Sequence, residues 1–209
     1  MMNFDIGSLL DCWKKKNIKG YSCPDKKSAL GRILEIIPPD ASVGFSGSVT
    51  LDQLEVIQAL EARGNVVFNH NKPGISREES LKIRRDATLA DYYLASANAV
   101  SLTGELVFLS AYGNRTSGIS YAKNAIIVCG VNKVTANLGE ALKRAREYAA
   151  PLNCKRLNWN TPCLKDGLCH NEICIFPDYK RMCCQTLIIE AEIIDGRFNV
   201  IMVKDNLGY

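Results

Sequence analysis

The chain has 209 residues, 47% apolar and 23% charged, with a formal net charge of +4. That is an ordinary globular composition, long enough for one substantial core or a core with an appendage. The mild charge, with basic and acidic residues interleaved as in Arg77-Glu78-Glu79, carries no nucleic-acid signature and favours small anions only slightly.

Residues 1–40 read as a helical lead-in. Met1 to Ile6 has no basic flank leading into an apolar stretch, so no secretory signal is expected. No segment approaches the roughly 18–20 uninterrupted apolar residues of a membrane span, and a cytoplasmic protein is expected. Ala29, Leu30, Ile33, Leu34 and Ile37 form an amphipathic stripe that Pro38-Pro39 stops.

Ser42 to Phe45 is a short strand running into the small-residue loop Ser46-Gly47-Ser48. Thr50-Leu51-Asp52-Gln53 has the form of a capping box, opening a helix that Gly64 closes. Val66-Val67-Phe68 reads as the next strand, completing a βαβ unit. Ser76-Arg77-Glu78-Glu79 caps a second helix, to about Ala90. Tyr92–Ala95, Leu106–Leu109 and Ala125–Cys129 are strands, and Asn137 caps a further helix that Pro151 limits. Leu187–Ile194 and Phe198–Val203 read as a C-terminal β-hairpin across Asp195-Gly196. The fold class is therefore α/β: a mostly parallel, doubly wound sheet, with that hairpin and a cysteine-rich insert.

Such sheets bind ligands beyond the carboxyl ends of their strands. Ser46, Gly47, Ser48 and Thr50 offer hydroxyls and backbone N–H groups to an anion, or simply make a tight strand-to-helix turn. In Asn98 to Glu105, Thr103 and Gly104 set a turn, and Glu105 is a candidate base or nucleophile, or a turn residue. In Gly113 to Gly118, Asn114 suits a left-handed turn and Arg115 offers a planar fork of donors for carboxylate or phosphate. Lys133, just after the strand ending at Cys129, is a further candidate anion clamp. His70, in Asn69-His70-Asn71 just past a strand, stands where a site could be but is read as a satisfied loop histidine.

Six of the nine cysteines lie between residues 154 and 184. Among reduced thiols such a cluster is more often metal-binding or redox-active than disulfide-bonded. Cys163, Cys169, Cys174 and Cys183 could close around zinc or a 4Fe-4S cluster, with His170 and Cys184 as alternative ligands. The insert has few large apolar side chains, so a metal would supply folding free energy that a core cannot.

The run Asn98-Ala99-Val100, Thr103-Gly104-Glu105-Leu106-Val107, Gly113-Asn114-Arg115, Ile127 to Lys133 and Ala150-Pro151 resembles the LUD (lactate utilisation) domain family. Gly44 to Thr50 and Leu207-Gly208-Tyr209 extend the resemblance over roughly residues 10–209, a single domain of the cysteine-bearing branch. It implies a fold similar to the ribose-5-phosphate isomerase and CoA-transferase group. It also implies an association with an iron–sulfur system that oxidises L-lactate to pyruvate. The partners expected on this reading are a small anionic metabolite and iron–sulfur subunits, with a homodimer as one arrangement. The alternatives are an isomerase- or transferase-like enzyme on a phosphorylated or CoA-linked substrate, and a non-catalytic module with structural zinc.

Overall fold

The structure, a computed structural model, describes residues 4–209. Five strands form a parallel sheet: β1 (Lys19–Cys23), β2 (Val43–Phe45), β3 (Tyr92–Ala95), β6 (Ala125–Gly130) and β9 (Phe198–Val203), in the order β1-β9-β6-β3-β2. Four more, β4 (Ala99–Ser101), β5 (Leu106–Ser110), β7 (Val134–Thr135) and β8 (Gln185–Ile189), form a second sheet in the order β7-β4-β5-β8. Its β4–β5 and β5–β8 pairs are antiparallel.

The period-2 alternation of strand side chains sorts the core into layers. Tyr93, Ala95, Ile127, Cys129, Val200 and Met202 point to one face of the parallel sheet, where they meet Val100, Leu106 and Phe108 of the second sheet. Leu94, Ile126, Val128, Ile201 and Val203 point the other way. They pack on α2 (Lys26–Ile36), α3 (Val49–Gln53) and α4 (Val56–Ala62). Val107 and Leu109 face outward from the second sheet onto Ala141 of α7 (Leu138–Arg144) and Ala150 of α8 (Ala150–Arg156). The remaining helices are α1 (Ile6–Lys15), α5 (Arg77–Asp86), α6 (Asn114–Tyr121) and α9 (Cys163–Asp166).

Several elements differ from the sequence reading. The lead-in, whose first three residues lie outside the described ones, contains an edge strand, β1, whose mostly polar residues gave no apolar run. Val66–Phe68 forms only a single bridge, Val67 to Val43; Val66 is 62% exposed and the chain turns away at Asn69. Ser48, not Thr50, caps α3. Pro151 lies in the first turn of α8 rather than ending a helix, because a π-helical turn at Ala145–Ala149 precedes it and absorbs the missing N–H.

The C-terminal strands do not pair as a hairpin. β8 joins β5 in one sheet, and β9 sits between β1 and β6 in the other. All six residues of β9 are buried, so burial on both faces drew this strand into the centre of the parallel sheet. Asp195-Gly196 still turns the chain, with Gly196 at φ 74°, but it redirects it from one sheet to the other.

Candidate functional site

The carboxyl ends of three neighbouring parallel strands converge: β2 delivers Ser46, β3 delivers Ser96 to Asn98, and β6 delivers Lys133 after a short helical turn. Gly113, in the left-handed region, starts α6, so the segment read as a loop is helical and carries Arg115 on its first turn. Arg115 Nε donates to Ser46 Oγ at 3.1 Å, and Nη2 to the Gly47 carbonyl at 2.7 Å. Its Nη1 donates to Asn98 Oδ1 at 3.4 Å and the Leu109 carbonyl at 3.1 Å.

These residues line a cavity of about 400 Å³, together with His70, Arg84, Tyr112, Asn114, Arg156 and Trp159. A side branch of about 30 Å³ leads from Gly47, Ser48, Asn98 and Arg115 to Thr50 and Lys133. Lys133 is 3% exposed and donates to Thr50 Oγ1 at 3.0 Å, Ser96 Oγ at 2.8 Å and the Ala97 carbonyl at 3.1 Å. The Thr50 hydroxyl is thus taken by Lys133, which explains why Ser48 caps the helix instead.

The electrostatics are one-sided. Arg84, Arg115, Arg156 and Lys133 form no ion pair with a carboxylate within 4 Å among the described residues, and Arg84 makes no hydrogen bond to the protein there. Burial lowers the pKa of Arg84, Arg115 and Lys133, the last to about 8. Asp52 also reaches the cavity; its carboxyl is pushed up by burial and held back by Arg156. Four gathered cations facing one carboxylate are costly to bury unless an anion completes them.

Thr103, Gly104 and Glu105 do not join this cavity. Their turn docks onto α1: Trp13 Nε1 donates to the Gly104 carbonyl at 2.9 Å, and Lys16 Nζ pairs with Glu105 at 2.9 Å. Burial alone raises the Glu105 pKa, but hydrogen bonds from Ser101, Thr103 and Lys16 outweigh it and hold the carboxyl down at about 2. In this placement Glu105 braces a turn and has no access to the cavity described above.

Beside the cationic cavity lies a second, about 20 Å³, lined by five cysteines: Cys154, Cys163, Cys169, Cys174 and Cys183. Ala150, Met182 and Cys183 line both cavities. Cys154 adds a thiol from the end of α8, and its pKa is pushed up to about 12, by burial first. Burial and the neighbouring Cys183 raise Cys169 and Cys174 likewise. Cys184 is exposed and turned away, donating to the Arg181 carbonyl at 2.9 Å. Five soft donors lining one small pocket suit zinc or an iron–sulfur cluster. Among the described residues no three Cys, His, Asp or Glu side chains are close enough to hold an ion as they stand, so binding would draw the thiolates together.

The family model of the LUD domain matches residues 9–203. This chain belongs to the LUD domain family. Its fold is similar to that of a DUF162 family protein from Deinococcus radiodurans, with a TM-score of 0.53 and 8% identity over 95% of each chain. No curated protein matches the chain. No helix among the described residues of this LUD domain is long and apolar enough to cross a membrane.

Arg84, Arg156 and Trp159 are among the cavity residues that the sequence did not single out. His70, just past a strand, stands where a site could be but reads in the sequence as a satisfied loop histidine, whereas its Nδ1 has no partner among the described residues. Arg84 is one of several charges on α5, and Arg156 precedes an irregular loop; nothing local marks either.

Proposed function

We propose that this LUD domain binds a small hydroxy acid of the L-lactate type in the cationic cavity. In this reading it carries a thiolate-held metal centre, an iron–sulfur cluster, in the adjoining pocket, and is a subunit or accessory factor of an oxidoreductase system. The observation that carries the reading is the shared wall: Cys183 belongs to both cavities, so a metal centre there would lie beside the bound acid. The family's link to lactate utilisation supports the choice of acid.

In this reading the carboxylate meets Arg115 and Arg84. Arg115 is positioned by four neutral acceptors and keeps its charge available. Cys163, Cys169, Cys174 and Cys183 would hold the metal, with Cys154 as a fifth thiol of the same pocket. Such a centre would supply single-electron transfer. Oxidation of a 2-hydroxy acid to its keto acid releases two electrons and two protons, so two successive one-electron transfers to an iron–sulfur partner subunit as oxidant, with the protons released to solvent, would balance it. The soluble partner-bound protein is then expected in the cytoplasm.

Elemental analysis and a visible spectrum of protein purified without oxygen test this. Iron with broad visible absorbance and a brown colour is the expected result. Zinc near one equivalent and a colourless solution would leave a structural metal site and remove the redox role.

A further inference from the structure

His70 is 3% exposed, yet it lines the cationic cavity. Its ring lies against Phe45, centroids 4.9 Å apart and planes 30° from parallel. Its Nδ1 is a buried side-chain atom with no hydrogen-bond partner among the described residues. Leaving such an atom unpaired costs about 1–3 kcal/mol; the other ring nitrogen, Nε2, also makes no hydrogen bond among the described residues but is not enclosed, so the ring can meet a ligand through Nε2.

Two features position the ring. The Ser80 hydroxyl donates to the His70 carbonyl at 3.2 Å and fixes the backbone. On the other side stands Gly47, where a Cβ would come within 3.9 Å of His70 Nε2. The absent side chain keeps the space between the Ser46–Ser48 loop and the imidazole open, on the same loop that Arg115 grips.

We infer that His70 is the residue that recognises the hydroxyl of the acid bound in the cationic cavity. The inference rests on the hydroxy-acid reading above and adds the residue that selects among carboxylates. Burial, and then the Arg84 charge, lower the His70 pKa to about 4, so the imidazole is neutral near pH 7. A neutral imidazole contributes no counter-charge to an anion. It offers one donor and one acceptor, the complement of a hydroxyl. The arginines alone would hold any small carboxylate equally well; the imidazole makes the difference. A site built to pair a hydroxyl rejects an analogue that lacks it, because its own polar atom is left unpaired.

L-Lactate and propionate form a matched pair of probes, with equal charge and carbon skeleton and one hydroxyl between them. Calorimetric titration of the full chain is expected to show lactate binding at least about 10-fold more tightly, one hydrogen bond's worth. His70→Phe keeps the stacking on Phe45 and is expected to weaken lactate to the level of propionate while changing propionate less than about 2-fold. The chain has two histidines, so nitrogen NMR of the ring resolves His70 without any variant there: lactate is expected to shift its ring signals and propionate to leave them in place. Discrimination retained in His70→Phe, or ring signals indifferent to lactate, would each overturn the inference and leave the hydroxy-acid reading standing. Equal affinities in the unaltered protein, or no binding of either acid, would sink the hydroxy-acid reading and this inference with it.

Discussion

Arg115 Nε on α6 donates to Ser46 Oγ at the end of β2 over 3.1 Å, joining positions 69 residues apart. This bond closes one wall of the cationic cavity and leaves the guanidinium without an acidic partner. Arg115→Met is expected to weaken L-lactate binding by at least about 10-fold and to lower stability by about 2–4 kcal/mol, because four acceptors lose their donor. Calorimetry and urea unfolding read the two effects separately. Arg115→Lys keeps the charge but not the fork and is expected to restore only part of the affinity.

Lys133 should set a pH dependence of its own. Its folded pKa is lowered to about 8 from an ordinary 10.5, first by burial. The unfolded chain therefore binds more protons between about pH 8 and 10.5, and stability gains from this group as pH rises through that window, by up to about 3 kcal/mol. The difference between the unaltered protein and Lys133→Met, followed by urea midpoints from pH 7.5 upward, isolates the slope. A difference that stays constant with pH would mean that Lys133 is not held in this state.

Glu105 gives the opposite sign. Its folded pKa of about 2 lies below the ordinary 4.5. Its stabilisation is present above about pH 4.5 and is lost as pH falls towards 2, amounting to roughly 1–3 kcal/mol. Glu105→Gln is expected to lower the urea midpoint at pH 7, to flatten the acid limb, and to leave lactate binding unchanged. A large loss of binding in this variant would return Glu105 to the site.

Adjacent cysteines are expected to behave differently. Cys183 lines both cavities, whereas Cys184 bonds to the Arg181 carbonyl at the surface. Cys183→Ser is expected to lower the metal-to-protein ratio measured by elemental analysis, and Cys184→Ser to leave it unaltered. Equal losses would place the metal elsewhere in the insert.

Gly118 lies against Tyr93: a Cβ there would overlap the ring. Tyr93 in turn donates its hydroxyl to the Asn114 carbonyl at 2.9 Å, beside Arg115. Gly118→Ala is expected to cost about 1–3 kcal/mol by overpacking, measured by urea unfolding, and to weaken lactate binding through the shifted first turn of α6.

The legible part of the molecule was the part encoded locally. Continuous apolar runs marked β3, β5 and β6, and the Ser76 and Asn137 caps lie where the sequence put them. Ser46, Asn98 and Arg115 could be named because each stands in small-residue or turn chemistry next to a strand. What escaped depended on distant partners. β1 is a strand only because β9 lies beside it. The Asp195-Gly196 turn suggested a hairpin, but burial of every β9 side chain took precedence. Val66–Phe68 ends after one bridge, and that early end is what carries His70 back over Phe45 to the cavity. No window of sequence contains that relationship.

The central place of β9 also orders the birth of the fold. The strand that joins β1 to β6 is the last of the described strands to be made on the ribosome. Until residues 198–203 leave the exit tunnel, the first strand has no neighbour in the sheet, and one backbone edge of β6 stays unpaired. Completion of the platform must therefore follow synthesis of nearly the whole LUD domain, and a nascent chain stalled before Phe198 should remain open to proteases and chaperones.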